Sequence, residues 1–282
     1  MKSPHDCHGL ALTLLLLLSG WARGTEVLDI AAEDDAGNWS LKDGTGFANE
    51  LVVAAFKAVD VEAQLKVQPY ARCKREVEQG TVAACFSMSK LPDLEPLIAF
   101  PNLPLFVCHS DFFQNLKQPL NLQNEKDLPR GTVVGTVTGY EYPDNLYVLR
   151  DKGVVVLEET ASEELNLKKL ADGRIQLALI NYNETKPAEV METQSGTVGK
   201  VGKVLHCGDL NSWIGFSKKH PKGAWALEKF NTGFKIITEN GTLQRIQDKW
   251  AARAQAELAS AQPTPPAAAE KPVAPVPPAV GK

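Results

Sequence analysis

The sequence holds no apolar run long enough to cross a bilayer, which takes about 20 residues; its longest, Leu10–Leu18, has nine, broken only by Thr13. It has no excess of positive charge. Thirty Lys and Arg against 34 Asp and Glu give a formal net charge of −4, so no basic field favours nucleic acid. It lacks Gly-x-Ser-x-Gly, His-Glu-x-x-His and a glycine-rich phosphate loop ending in Lys-Ser/Thr, so the common catalytic signatures are missing. Histidine is scarce: beyond residue 24 there are His109, His206 and His220, the last in a polar Lys-Lys-His-Pro stretch. Adjacent acids such as Asp34-Asp35 and Glu158-Glu159 need not face one point and read as solvated. We therefore expect no enzyme and no cofactor. What remains is ordinary globular composition, with 44% apolar and 23% charged residues. That excludes a disordered chain, a collagen, a coiled coil and a polytopic membrane protein.

The two ends differ from the body. Leu10–Leu18 has the length of a signal-peptide hydrophobic region, and small residues follow at Gly20, Ala22 and Gly24. Residues 1–24 are expected to be a cleaved export signal, cut after Ala22 or Gly24, with no lipobox cysteine behind it. The expected location is the periplasm. From Gln262 to Lys282 there are seven prolines in 21 residues, mixed with Ala and Val. Such a stretch favours extended backbone over a packed core. Residues 259–282 are expected to be a disordered tail, either a spacer or a docking segment for a partner.

Four cysteines remain after the signal: Cys73, Cys85, Cys108 and Cys207. An even count in an exported chain suggests disulfides, and four cysteines allow three pairings. The favoured pairing is 73–85 with 108–207. Cys108-His109 and His206-Cys207 offer the ligand set of a structural zinc. Neighbouring side chains on a strand point to opposite faces, which argues against one shared ion, so no metal is expected.

Hydrophobic periodicity gives an α/β body. Val27–Ala31 reads as a strand and Gly46–Val59 as a helix with Phe47, Leu51, Ala55 and Val59 on one stripe. Leu65–Pro69 is a strand, Ala71–Gln79 a helix closed by Gly80, and Thr81–Met88 a strand. Four prolines between Pro92 and Pro104 break this βαβαβ pattern. After Leu105–Cys108, a second set follows: Val133–Val137, helix Asp144–Asp151, Val154–Leu157, helix Ser162–Ala171 and Ile175–Ile180. Val201–Cys207 and Trp213–Ser217 read as strands, and two amphipathic helices close the body. Two such sets imply two mainly parallel lobes. The first has too few helices to cover its sheet, so the chain should return to it. We expect lobe 1 to comprise residues 25–108 and 206–258, and lobe 2 residues 109–205, with crossings near 105–109 and 203–208.

In open α/β sheets, ligands sit beyond the carboxyl ends of the strands. After the first strand come Glu33, Asp34 and Asp35, then Trp39. Tyr70 and Arg72 follow the second, and Ser87 and Ser89 the third. In the other lobe, Thr138-Gly139-Tyr140-Glu141-Tyr142 follows a strand and opens a helix, and Asn181 ends the last one. Aromatic plates with a few polar groups suit a small-molecule cleft. Arg72 offers a two-pronged anion site, with backbone N–H groups after Thr138-Gly139 facing it from the other lobe. The expected ligand site is Asp34, Trp39, Tyr70, Arg72, Ser87, Ser89, Thr138, Gly139, Tyr140 and Asn181.

Several phrases resemble the family 3 extracellular solute-binding proteins, the binding components of amino-acid-type ABC importers. They are Gly46-Phe-Ala-Asn-Glu-Leu51, Gly131-Thr-Val-Val-Gly135 with Thr138-Gly139-Tyr140, and Glu239-Asn-Gly-Thr-Leu243 before Lys249-Trp250. Pro69-Tyr-Ala-Arg72 with Glu78-Gln-Gly80 resembles a Pro-Trp/Tyr-x-Arg…Gly pattern of one uncharacterised branch. The resemblance implies a two-lobed periplasmic-binding-protein fold of type II, a two-stranded hinge, closure around a solute, and an ABC permease or membrane sensor as partner to a monomer. The family usually carries Thr-x-x-Arg after the third strand, and that Arg holds the α-carboxylate; this chain has Lys90-Leu-Pro-Asp-Leu-Glu-Pro96. The family's ammonium-binding Asp is replaced by Asn181. An ordinary α-amino acid is therefore not expected, and a small polar or anionic solute is. The alternative is an accessory protein on a repurposed scaffold.

Overall fold

The computed structural model describes residues 25–261. The expected signal and residues 262–282 of the expected tail lie outside the described residues. Residues 259–261 are not tail but the last turn of a helix, because Ala-rich sequence continues the helical run to Ala261.

The strands are β1 (Glu26–Glu33), β2 (Val61–Gln68), β3 (Ala84–Met88), β4 (Ile98–Ala99), β5 (Phe106–Asn115), β6 (Thr132–Val137), β7 (Val155–Thr160), β8 (Leu177–Tyr182) and β9 (Val201–Ser217). The helices are α1 (Phe47–Lys57), α2 (Tyr70–Gln79), α3 (Asp144–Asp151), α4 (Glu163–Ala171), α5 (Ala188–Ser195), α6 (Gly223–Glu239) and α7 (Thr242–Ala261). Among the described residues they form one curled sheet ordered β2-β1-β3-β9-β5-β8-β6-β7, with β4 beside β9. β1 is parallel to β2 and β3, and β6 is parallel to β7 and β8.

Two long strands join the halves. The carboxyl end of β9 pairs with β3, Ala84 opposite Phe216. The rest of β9 pairs with β5, from Phe106 opposite Ser212 to Asn115 opposite Val201. The sequence divided this 17-residue strand in two, because Gly208-Asp-Leu-Asn-Ser212 has turn composition. Its backbone is instead held in the ladder by β5. The chain crosses between halves through these two strands.

Helices cover both faces of each half. In the first, α1, α6 and α7 bury Leu51, Phe56, Phe230, Ile237 and Trp250 against Ile30, Phe86 and Phe216. On the opposite face α2 buries Tyr70, Cys73 and Val77 against Ala31, Cys85 and Met88. In the second, consecutive residues of β5 serve opposite cores, as a strand's period of two requires. Phe112 packs with Leu146 and Leu149 of α3, while Phe113 packs with Leu167 and Leu170 of α4 and Met191 of α5. α6 crosses α1 very closely: a Cβ added at Gly233 would lie 1.8 Å from the Ala55 carbonyl oxygen.

Local signals set the helix ends. Gly80 closes α2 in the left-handed region, at φ 83°. The Ser162 hydroxyl accepts from the Leu165 N–H to cap α4. The Cys73–Cys85 disulfide forms as expected and ties α2 to β3, with Cα atoms 5.8 Å apart. The expected Cys108–Cys207 bond does not form, and both are free thiols. The β5–β9 register sets Cys108 opposite Leu210, not Cys207. Cys108 then packs in the first half's core and Cys207 in the second's. Burial pushes both thiols up to about 12.

Candidate functional site

The carboxyl ends of β1 and β3 face those of β6 and β8 across a cleft. β1 ends on Glu33, almost fully buried, whose Oε1 accepts a hydrogen bond from the Tyr140 hydroxyl of the opposite lobe. Burial pushes the Glu33 carboxyl up to about 8, only partly offset by the Tyr140 hydrogen bond and by Lys186. It is therefore mostly protonated at neutral pH. The turn after β1 carries Trp39, whose indole N–H donates to Asn183 Oδ1 at 3.0 Å and Thr185 Oγ1 at 3.2 Å.

A second contact runs the other way. Glu141, between β6 and α3, accepts from the Tyr70 hydroxyl at 2.7 Å and the Ser89 N–H at 3.2 Å. Its other oxygen pairs with the Lys74 ammonium at 2.7 Å. Tyr70 and Tyr140 meet edge to face, ring centres 5.2 Å apart. Burial holds both phenols well above their ordinary value, so both stay protonated donors.

Behind Trp39 lies a fully buried ion pair, Lys186 Nζ to Glu163 Oε2 at 2.6 Å. The Lys186 ammonium also sits 3.9 Å from the Trp39 ring centre. Glu163 Oε1 accepts the Asn181 N–H at 2.6 Å. The Asn181 side-chain oxygen accepts from the Ser110 hydroxyl at 2.5 Å.

These groups enclose a cavity of about 30 Å³. Of the residues expected from sequence, Trp39, Ser87, Ser89, Tyr140 and Asn181 line it, joined by Glu33, Glu141, Cys108 and Leu210–Ser212. Ser87 is aimed by a bulge in β3, where its φ is 65°. The Ser87 and Ser212 hydroxyls are buried without a hydrogen-bond partner among the described residues. Hollows of about 520 and 560 Å³ lie away from these strand ends, whereas one of about 380 Å³ adjoins the cavity, sharing Ser89, Leu210 and Asn211 with it and bounded by Tyr142, Asp144 and Trp213.

The other expected residues are placed differently. Tyr70 stands one layer back, acting through Glu141 and Tyr140. Asp34 is half-buried off the cavity. Arg72 does not reach the cleft: its exposed guanidinium pairs with Glu76 one helical turn on, at 2.9 Å. Tyr70, Cys73 and Val77 form the inward face of α2, and Arg72 stands off that face, exposed. Three N–H groups of the Thr138–Gly139 loop are bonded within the protein. The Thr138 N–H donates to Thr160 O, the Tyr140 N–H to Val137 O and the Tyr142 N–H to the Tyr147 hydroxyl. Gly139 instead lets the loop lie against α2, where an added Cβ would meet Ala71 at 3.0 Å. Glu33, Glu141, Glu163, Lys74 and Lys186 were not selected from sequence. Glu33 and Glu141 stand at strand ends, which was the one signal available for them.

No family model matches the sequence, and no curated protein matches it. Solved structures do match in three dimensions. A histidine kinase sensor domain with similarity to periplasmic binding proteins superposes with a TM-score of 0.68 at 16% identity, over 80% of this chain and 96% of its own. An ancestral arginine-binding protein bound to arginine gives 0.67 at 19%, over 81% and 98%. The GluR0 ligand-binding core from Nostoc punctiforme in complex with L-glutamate gives 0.64 at 20%, over 79% and 98%. At such identities the likeness establishes architecture: this chain has the two-lobed α/β fold of the periplasmic binding proteins.

Proposed function

We propose that the protein is an exported solute-binding protein whose lobes close around a small polar solute, read in the closed form by an ABC permease or a membrane sensor. One observation carries this reading. Side chains of both lobes converge on one cavity at the strand carboxyl ends, through Glu33–Tyr140 and through Glu141 with Tyr70, Lys74 and Ser89. We assign the ligand site to Glu33, Trp39, Ser87, Ser89, Tyr140, Glu141 and Asn181. We take residues 25–108 with 206–258 as lobe 1 and 109–205 as lobe 2, bending at β5 and β9. The Cys73–Cys85 disulfide fits an oxidising compartment such as the periplasm.

The site does not suit an ordinary α-amino acid. No arginine lines the cavity, and Asn181 supplies an amide already bonded to Ser110. The anionic solute suggested by Arg72 loses its support, because Arg72 faces outward. Several neighbours in three dimensions carry amino acids, and one is a sensor domain, so uptake and sensing both remain within the reading.

A second reading has its own support. The cavity is about 30 Å³, whereas ligand pockets run to about 300 Å³ or more. A cavity this small, with its walls bonded to one another across the lobes, suits an accessory protein that keeps its lobes shut. Native mass spectrometry of the purified protein, with a thermal-shift screen across a broad metabolite panel, separates the two. A retained or stabilising small molecule is expected. No retained mass and no shift would favour the accessory role.

A further inference from the structure

The carboxyl groups around the cleft outnumber the ammonium groups, and the odd one, Glu33, is kept neutral by a proton. Three carboxyl groups converge there, Glu33, Glu141 and Glu163, with two ammonium groups, Lys74 and Lys186. Lys74 serves Glu141 and Lys186 serves Glu163, each within 2.7 Å. Glu33 has no cation of its own. Its partner is a phenol hydroxyl, and the nearby Asp34 and Glu163 add further negative potential. The same cavity is lined by Tyr140, whose ring attracts cations, and by Trp39, whose ring already holds the Lys186 ammonium. It also presents two buried hydroxyls, Ser87 and Ser212, with no partner among the described residues. Buried polar groups of native proteins are normally bonded, so two orphans aimed at one cavity mark a place built to contact something.

Resting on the solute-binding reading above, we propose that the cleft receives a small organic monocation, a protonated amine or guanidine, whose charged head sits against Glu33 in place of the carboxyl proton. A carboxylate, an aromatic ring and two hydroxyl acceptors are the chemistry that holds an N–H-bearing cation. The closed cavity matches the head of such a molecule, an ammonium being water-sized. The body of the ligand takes up room as the lobes stand further apart. An anion in the same place would add a third negative charge to two lysines already committed.

The raised value of Glu33 gives this an independent readout. With its carboxyl near 8, the group holds about 0.9 proton at pH 7 and about 0.1 at pH 9. A cation bound against it displaces that proton. The groups facing Glu33 are Tyr140 and Glu163 and Lys186 of the opposite lobe, and Asp34 beside it. Burial holds the Tyr140 phenol well above its ordinary value, so the released proton reports on Glu33.

The test is isothermal titration of the full chain at pH 7 and pH 9, in pairs of buffers with different ionisation heats. The probes are ethylamine, butylamine, methylguanidine, succinate, glucose and sodium or potassium chloride. The expected result is binding of at least one amine or guanidine with release of about 0.9 proton at pH 7 and about 0.1 at pH 9. Glu33→Gln, which keeps the size of a protonated carboxyl, should abolish the release and weaken binding at least tenfold. Amine binding without proton release, or unchanged in Glu33→Gln, overturns the proposal. Binding of glucose, succinate or the inorganic cations alone also overturns it and leaves the solute-binding reading standing. Silence from every probe, with no small molecule retained in native mass spectrometry, overturns both.

Discussion

Glu33 makes stability depend on pH in a way that a single variant isolates. Its carboxyl holds a proton more tightly in the fold, near 8, than in the unfolded chain, at the ordinary 4.5. Its contribution to stability is therefore fully present below pH 4.5 and is lost as pH rises through 8. At about 1.4 kcal/mol per pH unit, the whole span is worth at most about 5 kcal/mol, of which about 3.5 falls between pH 5 and pH 8. These are ceilings, since opening the lobes hydrates the carboxylate at lower cost. Glu33→Gln keeps the Tyr140 contact and removes the titration. Urea melts of both proteins at pH 5, 6, 7 and 8 supply the difference between them, which cancels other groups, including Glu192, raised by burial to about 7. The wild type should lose about 2–3.5 kcal/mol relative to the variant between pH 5 and pH 8. Parallel pH dependences in the two proteins would refute the burial and protonation of Glu33.

Other perturbations probe the frame. Gly233→Ala gains about 1 kcal/mol of helix propensity, yet its Cβ would lie 1.8 Å from the Ala55 oxygen. The clash should win, for a net loss of about 2 kcal/mol in a denaturant melt; an equal or more stable variant would contradict the α1–α6 approach. Replacing both Cys73 and Cys85 by Ala should cost about 3 kcal/mol for a disulfide with a sequence separation of 12, and a reductant should lower the wild-type melting temperature but not the variant's. Lys186→Met leaves the Glu163 carboxylate buried without its cation and should cost about 3–5 kcal/mol, with much of the loss recovered by adding Glu163→Gln. Arg72→Ala should change stability by less than about 0.5 kcal/mol, because its ion pair with Glu76 is solvated; a large loss of ligand binding would return it to the site.

The elements were legible wherever local chemistry decides them. The stripe Phe47, Leu51, Ala55 and the signal at Gly80 placed α1 and α2 to within a few residues. Asp144–Asp151 appeared as read, and the 73–85 disulfide followed from cysteine spacing. α5 was not read, because Pro187 and a polar sequence hide its apolar stripe of Ala188, Val190 and Met191. β9 was split because composition favoured a turn that pairing with β5 overrides. The second disulfide failed on register, which no spacing encodes.

The sequence by itself determined two βαβαβ halves, the return of the chain to its first half, and the strand ends at which a cleft forms. Those follow from periodicity and from the handed, parallel logic of such sheets. It also placed Trp39, Ser87, Ser89, Tyr140 and Asn181 around that cleft. Only the tertiary structure decided the charge of the site. Arg72 lies outward because of its angle on α2, while Glu33 is driven into the interface by the lobe opposite. A carboxylate's meaning depends on which cations reach it, and Lys74, Lys186, Glu141 and Glu163 meet around Glu33 across sequence separations that no local pattern records.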